Sequence, residues 1–273
     1  MAIKNKSIVN IIKRNNPYFE DYITRSVYHS NAIEGNTLSY YETYQIIFNC
    51  ASDESISNVK PRDLYEAINL KYAMDFILQN LKEPITPDFI IKIGTFINKN
   101  INEIDSFRKG PVAIMGAEHL PPNAADVPRL INELLYTSFN GTDFLLDLAE
   151  FHIRYERIHP FGDGNGRSGR VLLNKLALAN DYPPFVIVKD IRSEYMNILA
   201  DCNAEALKKL ITTMMLNEME RMHTFGIDTT RFSLQSNLNN PLHINIWLKA
   251  HRQLMRIKIK MNNFPDQFRR YNF

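Results

Sequence analysis

Helix-start signals and apolar residues at helical spacing recur along nearly the whole chain, and they constrain its fold more than any other feature. Ser39 with Glu42 three residues later is a capping box, and Thr86-Pro87 is a cap followed by a proline. Between such starts, apolar residues return every three or four positions. The pattern predicts an all-α helical bundle, with helices over residues 18–33, 39–49, from 61, from 86, 127–138, 143–158, 167–179, 191–200, 204–222 and 244–259.

Apolar stripes in two of these helices indicate which faces are buried. The helix that begins at residue 61 is expected to face the core with Leu64, Ala67, Ile68, Tyr72 and Phe76. The helix over 143–158 is expected to do so with Phe144, Leu148, Phe151, Tyr155 and Ile158.

The segment 107–120 is the one stretch that does not have the pattern of a helix. Four apolar residues precede a glycine, and four further residues follow it before a pair of prolines. This arrangement predicts a small β-hairpin that turns at the glycine. A lone hairpin needs something to pack on, and such an element often serves as a flap. Its candidate residues are Val112, Ala113, Ile114, Met115 and Gly116.

Composition excludes several classes of protein. Hydrophobic residues make up 45% of the 273 residues and charged residues 23%, which is an ordinary globular balance. No run of about 18 apolar residues is present, so we expect no membrane partner, and the start lacks a signal peptide. Cys50 and Cys202 do not form a close-spaced metal or redox pair. These features predict a cytoplasmic protein.

Charge is concentrated at the C-terminal end of the chain. The formal net charge is +2, but residues 231–273 carry eight Lys or Arg and only one acidic residue, Asp266. A basic segment of this kind suits an acidic protein, nucleic acid or an anionic membrane surface. It lacks a helix-turn-helix or zinc motif, so nucleic acid is the less favoured partner, and a solvated helix face is the favoured explanation of the charge.

The densest concentration of chemistry lies in residues 159–170, which read His-Pro-Phe-Gly-Asp-Gly-Asn-Gly-Arg-Ser-Gly-Arg and hold four of the ten glycines. Gly164, Asn165 and Gly166 can point successive amides into one concavity, and the helix that follows adds its own N-terminal amides. Arg167 and Arg170 are one helical turn apart, and arginine forks match phosphate oxygens. This part of the segment predicts a phosphate site.

Two further residues of the segment suit transfer chemistry. Asp163 is acidic beside an anion site, which makes sense if a divalent cation joins it to phosphate. His159 ends the preceding helix, and its imidazole can take a proton from an attacking hydroxyl. A cradle, a metal ligand and a base together are typical of phosphoryl-type transfer.

The same segment resembles the Fic motif, His-Pro-Phe-x-Asp-Gly-Asn-Gly-Arg-x-x-Arg, at every fixed position. The resemblance implies a Fic fold and transfer of AMP from ATP to a Tyr, Ser or Thr hydroxyl of a protein, or of the chain itself. It implies His159 as general base, Asp163 as the Mg²⁺ ligand, and Phe161 as a core anchor of the loop. The implied nucleotide-binding residues are Phe161, Gly164, Asn165, Gly166, Arg167 and Arg170. The segment 107–120 becomes the Fic flap, which docks the protein substrate by strand addition.

Residues 30–36, Ser-Asn-Ala-Ile-Glu-Gly-Asn, resemble the inhibitory pattern of Fic proteins, Ser/Thr-x-x-x-Glu-Gly/Asn. The resemblance implies that Glu34 pairs with Arg170 and takes the place of the γ-phosphate. ATP could then enter only with its α-phosphate misplaced. Ser30 would support the contact and Gly35 would end the helix. Replacing Glu34 by Gly is therefore predicted to raise activity.

The resemblance to Fic proteins with an N-terminal inhibitory helix covers roughly residues 18–200. The expected organisation is an N-terminal helical region over 1–100, whose inhibitory helix spans about 18–36. A Fic core over 101–224 follows, and then a basic helical extension over 225–273.

Several alternatives stay open at this point. Some Fic relatives transfer phosphate, UMP or phosphocholine. The phosphate-transferring Doc branch has lysine in place of the second glycine of the cradle, so Gly166 favours AMP. Removal of AMP from a modified protein would use the same two motifs. A nucleotide-sensing regulatory protein with a nucleic-acid-binding tail is the rival from another class, and a homo-oligomer also remains open.

Overall fold

The chain is described here from a computed structural model, over residues 12–48, 58–114, 119–230 and 232–234. Nine α-helices with both ends in that part of the chain occupy most of it, residues 12–14 are also helical, and no described residue forms a strand. The helices are α1 (Asn16–Ile33), α2 (Tyr40–Phe48), α3 (Pro61–Gln79), α4 (Pro87–Asn98), α5 (Val127–Thr137), α6 (Phe144–Ile158), α7 (Asn165–Ala179), α8 (Arg192–Ala200) and α9 (Ala204–Thr224). Short 3-10 turns precede α5 and α8, at Ala124–Asp126 and Lys189–Ile191. The predicted all-α class is confirmed.

The predicted caps open the helices as expected. Ser39 and Glu42 exchange bonds between backbone N–H and side-chain oxygen, at 2.7 and 3.2 Å, just before and within α2. The Thr86 hydroxyl accepts the N–H of Phe89 at the start of α4. The helix α7 begins at Asn165, two residues earlier than predicted, so half of the expected glycine loop is already helical. No helix in the described part of the chain is long and apolar enough to cross a membrane.

The helices α6 and α7 form the centre of the bundle. They pack on each other, α6 also contacts α9 and α5, and α7 also contacts α3 and α4. The predicted stripe of α6 is buried at Leu148, Phe151, Tyr155 and Ile158, whereas Phe144 is only partly buried. The loop between these two helices therefore starts and ends on buried scaffold.

The predicted stripe of α3 is wrong in part. Ala67 and Phe76 are buried, but Tyr72 is 53% exposed and Leu64 and Ile68 are only partly covered. The buried face of α3 also carries three polar residues, Asp63, Glu66 and Asn69. These polar groups are buried because they bind the backbone and the site described below, which an apolar pattern does not reveal.

The helix α1 is held on the bundle by a buried ionic cluster. Glu218 of α9 accepts two bonds from the Arg25 guanidinium, at 2.7 and 2.8 Å, and one from the Tyr18 hydroxyl at 2.7 Å. Arg221 of α9 pairs with Asp21 of α1. Because a carboxylate buried without its partners is costly, these contacts fix the position of α1 along α9.

The expected hairpin over 107–120 is not shown. Residues 107–114 and 119–120 form no strand, and residues 115–118 lie outside the described part, as does the helix expected over 244–259. Side chains near both ends of the segment bind the C-terminal end of α6 instead. The guanidinium of Arg108 donates to the carbonyls of His159 and Pro122, and the imidazole of His119 contacts the carbonyl of Arg157.

Candidate active site

The loop between α6 and α7 begins with His159 in a left-handed conformation (φ 51°, ψ 63°), which few non-glycine residues adopt. Arg108 fixes this turn, because its side chain binds the carbonyl of His159 and its backbone N–H binds the carbonyl of Pro160. The Arg108 side chain is 92% buried, and its positive charge faces the negative end of the α6 dipole. Arg108 was missed by the sequence reasoning because nothing in the local pattern marks its partner 51 residues away.

The centre of the loop is pinned against α4. The Phe161 ring is fully buried, and a Cβ at Gly94 would lie 2.5 Å from its Cζ. The Asn165 side chain accepts the N–H of Phe161 and donates to its carbonyl, at 2.8 and 2.9 Å. Gly164 has φ +78°, and a Cβ there would lie 2.6 Å from Ile97. In this conformation Phe161 and Asn165 shape the loop instead of facing a ligand.

The helix α6 determines which nitrogen of the His159 imidazole carries the proton. Its Nδ1 lies 3.2 Å from the carbonyl oxygen of Glu156. A carbonyl only accepts, so Nδ1 carries the proton and Nε2 is left as the acceptor. Burial lowers the pKa of His159 below its usual value, with a smaller contribution of the same sign from Arg108. The imidazole is therefore neutral and able to take a proton at neutral pH.

The end of α1 reaches the start of α7 through Arg170. Its guanidinium donates to the hydroxyl and the carbonyl of Ser30, at 2.8 and 2.9 Å, and to the Glu34 carboxylate at 2.7 Å. Burial alone would lower the pKa of Arg170, but the charge and hydrogen bond of Glu34, together with Tyr195 and Glu156, raise that pKa. A Cβ added to Gly166 would overlap the Glu34 carboxylate. The carboxylate thus lies over the first turn of α7, where an anion is expected to bind.

Asp163 is surrounded by two arginines. Its Oδ1 accepts the N–H of Gly164 at 2.6 Å and the Arg167 guanidinium at 2.9 Å, and its Oδ2 accepts the Arg62 guanidinium at 2.5 Å. Burial acts to raise the pKa of Asp163, but the two arginines lower it, so the group is ionised. Arg167 is 98% buried, and its Nη1 also lies 3.1 Å from Glu66. In this conformation Arg167 orients Asp163, and its role on nucleotide phosphates stays a prediction.

The surroundings of Asp163 fit a magnesium site of one particular kind. Among the described residues, no group of three His, Cys, Asp or Glu side chains lies close enough to hold a metal ion alone. Mg²⁺ commonly binds through one or two carboxylates together with substrate phosphates. An ionised Asp163 at the edge of the anion cradle fits that arrangement.

A buried polar cluster behind Arg170 was not foreseen. Glu156 packs where Gly169 leaves no side chain, and a Cβ on Gly169 would overlap its carboxyl. The Glu156 carboxyl lies 3.8 Å from His152, which contacts the Tyr195 hydroxyl at 2.5 Å. Burial raises the pKa of Glu156 to about 8; Arg170 acts to lower it and Glu34 to raise it further. Gly169, which directly precedes Arg170, was the one sign in the sequence that α6 and α7 approach each other closely at this point.

The segment after α1 is fastened on both sides. Gly35 has φ +94°, so the chain turns away directly after Glu34. Arg192 of α8 donates to the carbonyl of Ile33 at 2.7 Å. The Asn36 amide donates to the Glu66 carboxylate at 2.8 Å. Glu34 therefore sits on a short turn that is tied to both α3 and α8.

The flap candidates are only partly visible. Val112 and Ile114 are half-buried and Ala113 is exposed, whereas Met115 and Gly116 lie outside the described residues. The docking role of these five residues stays a prediction.

Comparison with known proteins agrees with this geometry. The family model described as Fic/DOC family matches residues 84–177, which include the loop from His159 to Arg170. This chain carries a Fic domain. The matched region thus runs from α4 to α7, whereas Glu34, directly after α1, and Arg62, in α3, contact it from earlier in the chain.

Relatives of the Fic domain match most of the chain. Protein adenylyltransferase Fic of Aedes aegypti is 30% identical over 201 residues, which cover 70% of this chain and 39% of that protein. The protein of the same name from Nematostella vectensis is 30% identical over 192 residues, covering 68% and 44%. The chain therefore spans less than half the length of these two relatives.

Solved structures show the same fold. A Fic domain-containing signalling protein from Bacteroides thetaiotaomicron superposes with a TM-score of 0.68 at 22% identity, over 80% of this chain and 91% of that one. A part of Fic-1 from C. elegans superposes with a TM-score of 0.63, also at 22% identity, over 81% of this chain and 66% of that one. At such identities the likeness concerns the fold alone.

Proposed function

We propose that this chain transfers AMP from ATP to a hydroxyl group of a protein, and that Glu34 holds this activity off. The observation that carries the proposal is the position of the Glu34 carboxylate, over Gly166 and bonded to Arg170. A negatively charged protein group thus occupies the place where the loop would hold a negatively charged phosphate. The relatives named protein adenylyltransferase support the choice of AMP and of a protein as acceptor.

The residues of the loop support an in-line displacement. The acceptor hydroxyl oxygen would attack the α-phosphorus of ATP, and its proton would pass to Nε2 of His159. The bond between the α-phosphorus and the oxygen that joins it to the β-phosphate would break, and pyrophosphate would leave. Arg170 would turn from Glu34 to the terminal phosphates and keep a charged partner, as a buried guanidinium requires.

Asp163 is the residue that would hold Mg²⁺ beside these phosphates. When bound, the ion would neutralise the negative charge that develops on the leaving pyrophosphate. Arg167 would keep the Asp163 carboxylate oriented from behind. Among the described residues, the protein acceptor has its nearest candidate surface in residues 107–114 and 119–120, which border the loop through Arg108 and His119.

The test is transfer of label from ATP that is labelled at the α-phosphate, with Mg²⁺, in cell lysate and with the protein alone. The variants are the wild type, Glu34→Gly, and Glu34→Gly combined with His159→Ala. We expect label on protein with Glu34→Gly and its loss with the added His159 change. Label on the chain itself, without lysate, would identify self-modification.

Three other outcomes would overturn parts of the proposal. Transfer of γ-label without α-label would replace AMP by phosphate as the transferred group. Equal transfer by the wild type and Glu34→Gly would refute the inhibitory role of Glu34. Loss of AMP from pre-modified protein, dependent on both Glu34 and His159, would assign removal of AMP instead, with Glu34 orienting a water molecule.

A further inference from the structure

Arg62 connects the N-terminal part of the chain to the candidate metal ligand. It lies in the first turn of α3, and its guanidinium binds Asp163 Oδ2 through Nη2 and Glu66 Oε1 through Nε, at 2.5 and 3.0 Å. The contact with Asp163 spans 101 residues of sequence. Neither the Fic motif nor the inhibitory pattern includes Arg62.

With Arg62 in place, both oxygens of the Asp163 carboxylate accept hydrogen bonds, although its side chain is still 29% exposed. Its inner oxygen is taken by Gly164 and Arg167, and its outer oxygen by Arg62. A cation at that outer oxygen would lie beside the guanidinium of Arg62, which takes one of the two lone pairs of the oxygen and whose positive charge would repel the cation. Arg62 therefore weakens metal binding at Asp163 for as long as it stays in place.

The two arginines on Asp163 differ in their freedom to move. The Arg167 side chain is 2% exposed and belongs to the core of α7, whereas that of Arg62 is 58% exposed. Long exposed side chains change rotamer within nanoseconds, and those packed in a core do not. Arg62 is thus the movable contact and Arg167 the fixed one.

We propose that Arg62 is a second inhibitory contact, which closes the metal site at Asp163 while Glu34 closes the nucleotide clamp at Arg170. This inference rests on the proposed function, because it takes Asp163 as the ligand of Mg²⁺. It adds a regulation of the same site that does not pass through Glu34.

The two contacts share one support. The Asn36 amide binds the Glu66 carboxylate and the Asp63 carbonyl, and the hydroxyl and N–H of Thr37 bind the Asp63 carboxylate. The turn that carries Glu34 is thereby tied to the helical turn that carries Arg62. A partner that pulls residues 34–37 away from α3 would loosen both contacts together.

The first measurement is binding of Mn²⁺, as a probe for Mg²⁺, by electron paramagnetic resonance in the presence of α,β-methylene-ATP, which cannot transfer AMP. The variants are Arg62→Ala, Arg62→Gln and Asp163→Ala. Arg129→Ala is the matched control, since Arg129 is 65% exposed and also pairs with a glutamate four residues on. We expect Arg62→Ala and Arg62→Gln to bind Mn²⁺ roughly three- to tenfold more tightly than the wild type, given the usual strength of partly exposed pairs.

The outcomes separate this inference from the proposed function. Weaker Mn²⁺ binding by Asp163→Ala, together with tighter binding by both Arg62 variants and not by Arg129→Ala, is the expected result. Weaker binding by Asp163→Ala with no change in the Arg62 variants would overturn the second contact alone. Unchanged binding by Asp163→Ala would remove the metal assignment on which the inference rests.

An activity measurement tests the independence of the two contacts. Arg62→Ala with Glu34 intact should transfer no more AMP than the wild type, because Arg170 is still held. In the Glu34→Gly background, Arg62→Ala should lower the Mg²⁺ concentration for half-maximal transfer roughly three- to tenfold. An identical Mg²⁺ requirement for Glu34→Gly with and without Arg62→Ala would contradict the proposal.

Discussion

Glu34 can restrain the site through its charge, through its bulk, or through both, and two substitutions separate these effects. Glu34→Ala removes the carboxylate from Arg170 and from the space over Gly166. Glu34→Gln removes the charge but leaves a side chain of the same length in that space. Alanine fits the backbone of residue 34, which has ordinary dihedral angles (φ −88°, ψ 2°).

The expected magnitudes follow from the contacts. Glu34 accepts one of the three hydrogen bonds that Arg170 donates, and it is the only charged acceptor among them. The Glu34 side chain is 32% exposed, whereas that of Arg170 is 7% exposed. Breaking a buried pair on one side costs about 3–5 kcal/mol, and partial exposure of Glu34 reduces this to about 2–3 kcal/mol. Transfer should therefore rise roughly 30- to 150-fold in Glu34→Ala. For Glu34→Gln, loss of charge without loss of bulk should give a rise of about fivefold.

The assay is the initial rate of α-label transfer at saturating ATP and Mg²⁺, together with the dissociation constant of ATP. Glu205→Ala is a suitable control, because Glu205 is 70% exposed and lies on α9. If Glu34→Ala transfers label within twofold of the wild-type rate, and this transfer still requires His159, Glu34 does not restrain the site. Equal rates for Glu34→Ala and Glu34→Gln would show that the bulk of Glu34 contributes nothing.

Three further predictions concern residues that support the site. The pKa of Glu156 is raised from its usual 4.5 to about 8, so its neutral form is favoured by folding, and the free energy of unfolding should fall as pH rises between these values. Urea unfolding from pH 5 to 9 should show this loss, on the order of 4 kcal/mol, in the wild type and not in Glu156→Gln; equal pH profiles would contradict it. Lys175 is 99% buried and donates to three backbone carbonyls in the segment after α3. Lys175→Met would leave those carbonyls without their donor and should lower the free energy of unfolding by about 3 kcal/mol. An unchanged urea midpoint would contradict this. Arg108→Ala frees the carbonyl of His159 and should lower the turnover of Glu34→Gly roughly 10- to 100-fold, with a smaller change in ATP affinity; an effect on affinity alone would count against it.

Local chemistry allowed the helical framework to be predicted with good accuracy. A capping box such as Ser39 with Glu42 involves neighbours in sequence, so its geometry is readable from spacing alone. The start of α7 was placed two residues late, because Gly166 was taken as part of an irregular loop. Among the glycines of residues 159–170, only Gly164 has a positive φ, and Gly166 is helical while leaving room for Glu34.

The candidate site was predictable only where a known motif covers it. The pairing of Glu34 with Arg170 joins two recognisable patterns, and the structure places these two side chains in contact. Arg62, Glu66 and Arg108 belong to no such pattern and lie 51 to 101 positions in sequence from the loop residues that they contact. Periodicity also misleads on α3, because it assigns apolar residues to the core, whereas Glu66 is buried by its ionic partners.

The way in which α1 is docked limits how Glu34 can be released. Tyr18, Tyr22, Ile23, Val27 and Ile33 are all fully buried, so pulling α1 off the bundle would expose five large side chains. At about 1.5–3 kcal/mol each, this amounts to on the order of 10 kcal/mol, which is comparable to the stability of a whole domain. Moving Glu34 by itself breaks one partly exposed ion pair beside a glycine with a positive φ. A local change of the turn after α1 therefore costs far less than undocking of the helix, and a regulator that acts on this site needs to engage only that turn.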